Sequence, residues 1–349
     1  MVPGGVPRAP AAGAAVRRAV RTGRGLEVVT GAEPPARPDG WVRLAVTGCG
    51  ICGSDLHALS HEPGRRLGRT PGHEIAGTII ESGVPGLADT AYAISPNITC
   101  GHCEYCTAGR LNLCRQGGDG LGLGRDGGFA DFVDAPAQNL FPAGPGAERV
   151  ASLTEPLAVS LRAVHLARPD PGSRVLVLGG GAIGQLCAVL ARDRAGEVAI
   201  TTRYEHQRTL AERNGVTAIR PQDAVAWGKE HRPESVLETV GGSGETLRDG
   251  LAAVGRGGRL VIVGSFGTVP VDLGVAMFRE VQILPSFAYA SADGEQEFAA
   301  AAGLLTRYRA ELAALQTHEF ELADIGAAVA CAADRAAGSV KVTVRPAGL

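Results

Sequence analysis

The chain has 349 residues, of which 45% are hydrophobic and 20% charged, so it holds enough apolar material for two packed domains. Its 34 basic and 36 acidic residues are well mixed and leave a net charge of -2. A nucleic-acid-binding protein is therefore disfavoured, because such proteins present a basic face to the phosphates. No apolar run approaches the roughly 18 residues that a membrane-spanning helix needs, so we expect no membrane partner.

The first part of the chain is rich in turns and short strands. Residues 1–16 consist largely of Pro, Gly and Ala without an apolar period, and they lack the apolar core of a signal peptide. We predict a flexible tail there. Strand-like runs such as WVRLAV follow, separated by Pro- and Gly-containing turns, and this β-rich character continues to about Ala158.

The pattern changes at Arg174, where apolar strand-like runs begin to alternate with helical stretches. The runs are RVLVLG, EVAITT, VTAI, SVLETV, RLVIVG and VQILPS. This alternation predicts an α/β domain with a doubly wound parallel sheet. After about Ala290, a long helical stretch and a closing strand, SVKVTV, return to the first domain. We therefore expect a discontinuous catalytic domain of residues 17–158 and 291–349 around a dinucleotide-binding domain of residues 159–290.

Four cysteines with the spacing C-x2-C-x2-C-x7-C predict a structural zinc site. They are Cys100, Cys103, Cys106 and Cys114. Core packing does not require a thiol at every third residue, whereas a tetrahedral zinc takes four thiolates from such a loop. A separate zinc-ribbon module is the alternative, but ribbons usually carry two Cys pairs with a longer separation. Thiols that bind metal rather than form disulfides are typical of a reducing compartment, so we expect a cytoplasmic protein.

A glycine pattern after RVLVL predicts a dinucleotide site. Gly179, Gly181 and Gly184 form G-x-G-x-x-G at a strand-to-helix turn, and the helix opens with Ala182 and Ile183. The first glycine permits the tight turn, the second lets the backbone approach a pyrophosphate, and the third allows close helix packing. The helix N-terminus then faces the phosphates. A glycine-rich turn without a ligand is the alternative.

The end of the second strand bears on the choice of cofactor. An NAD site would place Asp or Glu about 20 residues after the glycines, where it binds the ribose 2′-hydroxyl. This chain has Thr202-Arg203-Tyr204 instead, and the nearest acid is Glu205. A threonine and an arginine suit a 2′-phosphate, so NADP is favoured over NAD. In the alternative, Arg203 is a surface charge and NAD binds with one contact fewer.

Ligands for a second, catalytic zinc occur upstream. GCGICGSDLH spans residues 48–57 and PGHE spans 71–74, while TEPLA spans 154–158. These motifs offer a thiolate from Cys52 or Cys49, the imidazole of His73 and the carboxylates of Glu74 and Glu155. A catalytic zinc takes three protein ligands of this kind and keeps one position open. Spacing alone does not choose among them.

At these residues the chain resembles the zinc-dependent medium-chain dehydrogenase/reductase family, of the alcohol and polyol dehydrogenase type. The resemblance runs from about Val20 to Val344. It rests on six motifs in family order: G-I-C-G-S-D-x-H, G-H-E, the four cysteines, G-G-F-A-D-F-V at residues 127–133, E-P-L-A and the nucleotide glycines. It implies a Rossmann-type doubly wound sheet inserted in a mainly β, GroES-like catalytic domain.

The resemblance also implies a role for each matching residue. Cys52, His73 and Glu155 match the metal ligands, and Glu74 matches a glutamate beside the metal that can approach it. Asp55 matches an acid that orients the ligand histidine, while Ser54 and His57 match a proton relay through the cofactor ribose. The implied protein holds two zinc ions per chain and is a homodimer or homotetramer. Two departures are LADTAYAIS, in place of a common V-G-D-R-V, and Thr202, in place of an acid.

The predicted function is hydride transfer between NADP(H), or NAD(H), and a secondary alcohol or ketone, such as a polyol or a sugar. The substrate is a small molecule whose identity the sequence does not give. One alternative is a reductase of the same fold that acts on a conjugated C=C or C=N bond. A non-catalytic protein that binds zinc and nucleotide is another. The intact set of Cys52, His73, Glu155, Ser54 and His57 speaks against both.

Overall fold

The computed structural model describes residues 15–31, 36–62, 64 and 66–346. Most of the predicted tail lies outside these residues, and the first strand begins at Val16. The chain forms two compact units. The first contains the described residues up to Glu155 together with those from Phe298 onward, and the second runs from Pro156 to Glu297.

Most of the first unit comes from the start of the chain. Its elements there are β1 (Val16–Thr22), β2 (Gly25–Gly31), β3 (Trp41–Gly50), α1 (Gly53–His61), β4 (Glu74–Ser82), β5 (Ala91–Ile94), α2 (Glu104–Thr107), β6 (Phe132–Pro136) and β7 (Leu140–Pro142). Strands β1 and β2 form an antiparallel pair. Helix α3 (Thr154–Ala167) begins in this unit and continues into the second.

The second unit has the expected alternation of strands and helices. Its elements are β8 (Arg174–Leu178), α4 (Ala182–Arg192), β9 (Glu197–Thr201), α5 (Glu205–Arg213), β10 (Thr217–Ile219), α6 (Ala224–His231), β11 (Ser235–Glu238), α7 (Glu245–Ala253), β12 (Arg259–Ile262), α8 (Leu273–Phe278), β13 (Gln282–Pro285) and the short pair β14 (Ser291–Ala292) and β15 (Glu295–Gln296).

The six strands predicted from the sequence form a parallel sheet in the order β10-β9-β8-β11-β12-β13. The prediction of a doubly wound α/β sheet is confirmed. Buried Leu176, Val236 and Leu260, one from each central strand, pack against the helices in its core. The chain order reverses between β8 and β11, and ligands of such sheets bind at the carboxyl ends of the strands beside this reversal.

The return of the chain completes the sheet of the first unit. It consists of α9 (Glu297–Leu304), α10 (Arg309–Leu315), β16 (Gln316–Glu321), α11 (Ile325–Ala333) and β17 (Lys341–Arg345). The sheet order is β16-β17-β3-β4-β5-β7, and β6 pairs with β3. The GroES-like, mainly β expectation for this unit is therefore confirmed. Leu44, Ile75 and Phe129 are among the fully buried side chains of its core.

Two local expectations need correction, and a third segment, which no sequence pattern predicted, contains a strand. The stretch 297–315, expected as one helix, is divided between α9 and α10. The uncertain segment LADTAYAIS contains β5, and the Tyr92 hydroxyl donates a 2.8 Å hydrogen bond to the Ala88 carbonyl before it. The region before Ala158, expected to be all β, also contains helices α1 and α2 and ends in the first turn of α3. No helix within the described ranges is long and apolar enough to cross a membrane.

Candidate active site

The four cysteines of the predicted structural zinc site lie together around α2. Their sulfur atoms are all within 4.8 Å of one another. The sulfur of Cys106 is 3.6 Å from that of Cys103 and 3.9 Å from that of Cys100. Four thiolates held about 2.3 Å from one tetrahedral zinc would lie about 3.8 Å apart. The cluster therefore has the dimensions of a zinc–tetrathiolate site.

The surroundings of these sulfur atoms affect the individual thiols in opposite directions. The Cys103 amide donates to the Cys100 sulfur at 3.4 Å, and the Cys100 amide donates to the Cys114 sulfur at 3.3 Å. Hydrogen bonds from the Arg115 and Cys106 backbones lower the pKa of Cys103 to about 6. Desolvation by burial, together with hydrogen bonding to its neighbours, raises the pKa of Cys106 to about 12. A cation would therefore be needed to make all four groups thiolates at once.

A second group of side chains that could hold a metal ion lies where β3, α1 and β4 meet. Ligand atoms of Cys52, His73 and Glu74 are within 4.8 Å of one another. Cys52 precedes α1, and Glu74 is the first residue of β4. His73 and Glu74 are buried, with exposed fractions of 5% and 1%. A thiolate, an imidazole and a carboxylate form a donor set that suits zinc.

Asp55 lies between the thiolate end of this group and the imidazole, whose Nδ1 makes no hydrogen bond within the described structure. One of its oxygens accepts a 3.0 Å hydrogen bond from the Cys52 amide, and the other lies 3.6 Å from His73 Nδ1. Desolvation by burial lowers the pKa of His73, but the charges of Asp55 and Cys52 outweigh it and raise that pKa well above its usual value. The surroundings of the ring therefore favour positive charge. With Nδ1 turned to Asp55, Nε2 is the nitrogen left for a metal.

The two candidate carboxylates have different surroundings. Glu74 pairs with buried Lys341, whose Nζ lies 2.6 Å and 2.8 Å from its two oxygens. Glu155, in the first turn of α3, is outside the group of atoms within 4.8 Å of one another. The pKa of Glu155 is raised to about 7, mainly because the carboxylate is buried, although the neighbouring charge of His73 acts in the opposite direction. The structure thus brings Glu74 closer to Cys52 and His73 than Glu155.

The two predicted relay residues lie on α1, but they are not joined directly. The Ser54 hydroxyl is 3.5 Å from His73 Nε2, so it lies beside the metal-binding group. The exposed His57 ring stacks on that of His61, with 4.4 Å between the ring centroids. Within the described residues no hydrogen bond links Ser54 to His57. In the relay that the family resemblance implies, the ribose of the cofactor connects these two residues.

The glycine-rich turn has the shape that a dinucleotide requires. Gly179 has a φ of +114°, which disfavours any residue with a side chain. A Cβ on Gly184 would lie 1.8 Å from the Gly179 carbonyl oxygen, so that position packs too closely for alanine. Nothing lies within 4 Å of a Cβ built on Gly181, the residue that precedes α4. Open space beside a helix N-terminus is where a pyrophosphate binds.

The turn after β9 offers side chains rather than backbone amides to a ribose substituent. Gln207 Oε1 accepts hydrogen bonds from the amides of Arg203 and Tyr204, at 3.1 Å and 3.4 Å, so both donors are already used. The buried Thr202 hydroxyl has no hydrogen-bond partner in the described structure. Arg203 is exposed, and the carboxylate of Glu205 lies 3.6 Å from Arg208 instead. A hydroxyl and a guanidinium are therefore left for a ligand.

Family models and known proteins agree with this geometry. Residues 38–145 match the alcohol dehydrogenase GroES-like domain, and residues 182–307 match the zinc-binding dehydrogenase model. A 2-dehydro-3-deoxy-L-galactonate 5-dehydrogenase from Pseudoalteromonas atlantica is 32% identical over 83% of this chain and 87% of its own. The chain belongs to the zinc-dependent medium-chain dehydrogenases.

One further relative and one solved structure are also similar to this chain. A sorbitol dehydrogenase from Halalkalibacterium halodurans is 31% identical over 81% of this chain and 85% of its own. The solved structure of a zinc-binding dehydrogenase from Sinorhizobium meliloti 1021, bound to NADP, superposes with a TM-score of 0.85. It is 31% identical, and the match covers 95% of this chain and 100% of that one. The chain is thus a zinc-type alcohol or polyol dehydrogenase by family.

Sequence reasoning missed two residues that shape the dehydrogenase site. Lys341 lies 267 positions from Glu74, and its one signal is a lysine inside an apolar closing strand. Gln207 fixes the turn after β9, although glutamine in a helix carries no signal of its own. The Cys49 thiol, the alternative to Cys52 as a ligand, is instead part of the hydrophobic core of the first unit, with an exposed fraction of 0%.

Removing one thiol of the cysteine cluster should cost stability rather than chemistry. We expect Cys103→Ala to lose one zinc per chain and to lower the melting temperature, because a closed tetrathiolate site holds its loop and touches no substrate. Elemental analysis and thermal denaturation check this, with Cys331→Ala as the control. A Cys103→Ala protein with unchanged zinc content and stability would show that the cluster holds no metal.

Proposed function

We propose that this dehydrogenase interconverts a secondary alcohol and its ketone with NADP(H), on a polyol, a sugar or a sugar acid. The observation that carries the proposal is the cluster of Cys52, His73 and Glu74 in the unit that matches the GroES-like domain, with the imidazole and the carboxylate buried. The substrate class comes from the relatives, a sugar-acid dehydrogenase and a sorbitol dehydrogenase. Two zinc ions per chain are part of the proposal, one for each ligand cluster.

The chemistry divides between the bound groups and the chain. When bound, zinc would polarise the substrate oxygen as a Lewis acid, and the nicotinamide would accept or donate the hydride. Cys52 and His73 would hold the metal together with a carboxylate. Asp55 would keep the His73 ring in one orientation, which fixes the tautomer and raises the basicity of the ligand nitrogen.

Ser54 and His57 would move the proton of the reacting hydroxyl. Ser54 lies beside His73 Nε2, so its hydroxyl can accept that proton and pass another on. The His57 ring is exposed to solvent on the same helix. Imidazole exchanges protons with water near neutral pH, which makes it a suitable last group of a relay. In the direction of ketone reduction the proton would travel the opposite way.

The preference for NADP rests on charge and on unused donors at the end of β9. A 2′-phosphate would meet no carboxylate at position 202, and it could accept a hydrogen bond from the Thr202 hydroxyl. The Arg203 guanidinium presents a planar fork that suits phosphate oxygens. Glu205 is the nearby acid, and its ion pair with Arg208 reduces its repulsion of a phosphate.

We also propose that the protein is a cytoplasmic homodimer or homotetramer. Its eight cysteines are free thiols, as expected in a reducing compartment. Strand β13 lies at an edge of the parallel sheet, and among the described residues it pairs with β12. On the neighbouring α8, Leu273, Met277 and Phe278 expose 66%, 66% and 77% of their surface. Unpaired strand edges and apolar patches are typical of subunit interfaces.

Loss of the relay should slow the reaction without releasing the metal. His57→Ala should lower kcat for a secondary alcohol by about 10²–10⁴-fold, the usual contribution of acid–base catalysis, while the zinc content stays unchanged. Steady-state kinetics over a panel of polyols and sugar acids measure this, and His318→Ala, which removes an imidazole on β16, is the control. Full activity in His57→Ala, or activity on conjugated C=C bonds alone, would contradict the proposal.

The cofactor preference should depend on Arg203. We expect wild-type kcat/KM to favour NADP over NAD by tens-fold, since a charged hydrogen bond contributes about 1.5–3 kcal/mol. Arg203→Ala should remove most of that advantage by weakening NADP alone. Arg213→Ala, which deletes the same charge at the other end of α5, should leave the ratio unchanged. Equal or better use of NAD by the wild type would mean that Arg203 is a surface charge.

Assembly should depend on the apolar surface of α8. A charge at a buried subunit contact is costly, so Phe278→Asp should give a smaller particle with retained secondary structure. Light scattering after size exclusion measures the mass, and circular dichroism follows the fold. Leu67→Asp, at a residue of the first unit that is 54% exposed, is the control. A monomeric wild-type protein would rule the assembly out.

A further inference from the structure

Two buried glutamines join the glycine-rich turn to the turn after β9. Gln185 lies on α4 and is 1% exposed, and Gln207 lies on α5 and is 4% exposed. The side-chain amide of Gln185 donates hydrogen bonds to the Gln207 carbonyl at 2.9 Å and to the Gly180 carbonyl at 3.4 Å. Buried polar groups that are satisfied in this way make the structure around them rigid. The two turns are therefore connected through the interior of the second unit.

The side chain of Gln207 lies between the two turns. Its Oε1 accepts hydrogen bonds from the amides of Arg203 and Tyr204, at 3.1 Å and 3.4 Å. A Cβ on Gly180 would lie 2.8 Å from the same oxygen and 3.1 Å from the carbon that carries it. A side chain at position 180 would thus press on Gln207. Glycine there leaves the glutamine its place beside the glycine-rich turn.

The backbone donors of residues 202–204 are all used within the protein. The Thr202 amide donates to the Ile219 carbonyl on β10 at 2.9 Å, and the amides of Arg203 and Tyr204 donate to Gln207. The Thr202 hydroxyl, by contrast, is buried and makes no hydrogen bond within the described structure, and Arg203 is exposed. A ligand at this turn therefore meets side chains and not backbone amides.

The acceptor that closes this turn carries no charge. A carboxylate at position 207 could accept the same two amide hydrogens, since its oxygens accept hydrogen bonds as a carboxamide oxygen does. It would also bring a negative charge to within hydrogen-bond distance of the Arg203 amide, and that charge would repel a phosphate bound at the turn. Glutamine makes the hydrogen bonds without the repulsion. Gln207 therefore suits a turn that receives an anion.

We propose that Gln207 is a positioning residue for cofactor selection. Its uncharged acceptor keeps the turn after β9 closed, so that the Thr202 hydroxyl and the Arg203 guanidinium receive the 2′-phosphate of NADP. This rests on the proposed function, because it presumes that NADP is the cofactor. Gln185 supports the arrangement by tying Gln207 to the glycine-rich turn. The choice of cofactor thus depends on a residue that acts through the turn and not by contact with the phosphate.

Binding of NADPH and NADH to the full-length protein, measured without substrate, tests the inference. The two cofactors differ by the 2′-phosphate alone, and the fluorescence of the bound reduced nicotinamide gives a Kd for each. The ratio of the two Kd values is the selectivity. Gln207→Leu removes the acceptor at a similar side-chain size, and Gln207→Glu keeps the acceptor and adds a charge. Gln138→Glu, at an exposed glutamine of the first unit, is the control.

Both variants at position 207 should lose selectivity, for different reasons. Gln207→Leu leaves two amides unpaired, so we expect a lower melting temperature and about tenfold weaker binding of NADPH. Gln207→Glu should keep the melting temperature, because the turn stays closed, and should weaken NADPH by at least about tenfold through repulsion. The Kd for NADH should change by less than about threefold, since its 2′-hydroxyl carries no charge. Gln138→Glu should match the wild type.

An unchanged ratio of the two Kd values in both variants would overturn the inference. Equal weakening of NADPH and NADH would also overturn it, because Gln207 would then support the fold without selecting the cofactor. If Gln207→Leu does not fold, Gln207→Glu decides, since it retains the acceptor. A wild-type protein that binds NADH as tightly as NADPH would contradict the proposed cofactor choice and this inference with it. A selective wild type with equally selective variants would contradict the inference alone, so the two failures are distinguishable.

Discussion

The first unit buries several acidic side chains close together, and the rest of the candidate site depends on how their negative charge is balanced. Asp55, Glu74 and Glu155 lie around His73, and Lys341 supplies its fixed positive charge directly to Glu74 alone. Carboxylates in such a place repel one another and lose their hydration. Burial raises the pKa of Glu155 to about 7, and the charges of Asp55 and Cys52 raise the pKa of His73 although burial alone would lower it, so both groups favour their protonated forms and the region favours added positive charge. A divalent metal would satisfy that preference, which links the chemistry to the fold.

Sheet pairing is what brings these charges together. Strands β17, β3 and β4 are neighbours, and their register sets Thr343 beside Gly50 and Gly50 beside Glu74. Helix α1 starts directly after β3 and carries Asp55 back to His73. The last strand of the chain therefore completes a site whose other residues lie in its first half. The first unit therefore consists of two segments of the chain, with the second unit between them in sequence.

Much of this arrangement could be predicted from the sequence, because its signals are local. The strands of the parallel sheet are continuous apolar runs, and the glycine turn and the cysteine cluster each lie within a few residues. The pairing of Lys341 with Glu74 could not be predicted, since it depends on a register between distant strands. The same limit applies to the carboxylate of the candidate metal site: motif order implied Glu155, whereas the fold brings Glu74 within 4.8 Å of Cys52 and His73. The break between α9 and α10 was missed because the apolar pattern runs through it.

The central claim is a catalytic metal held by one thiolate, one imidazole and one carboxylate. X-ray absorption at the cobalt edge measures this directly, with cobalt in the catalytic site and zinc in the cysteine cluster. The account predicts one sulfur atom at about 2.3 Å and the remaining ligands, nitrogen or oxygen, at about 2.0–2.2 Å. A cobalt shell with no sulfur, or with two or more sulfur atoms, would contradict it.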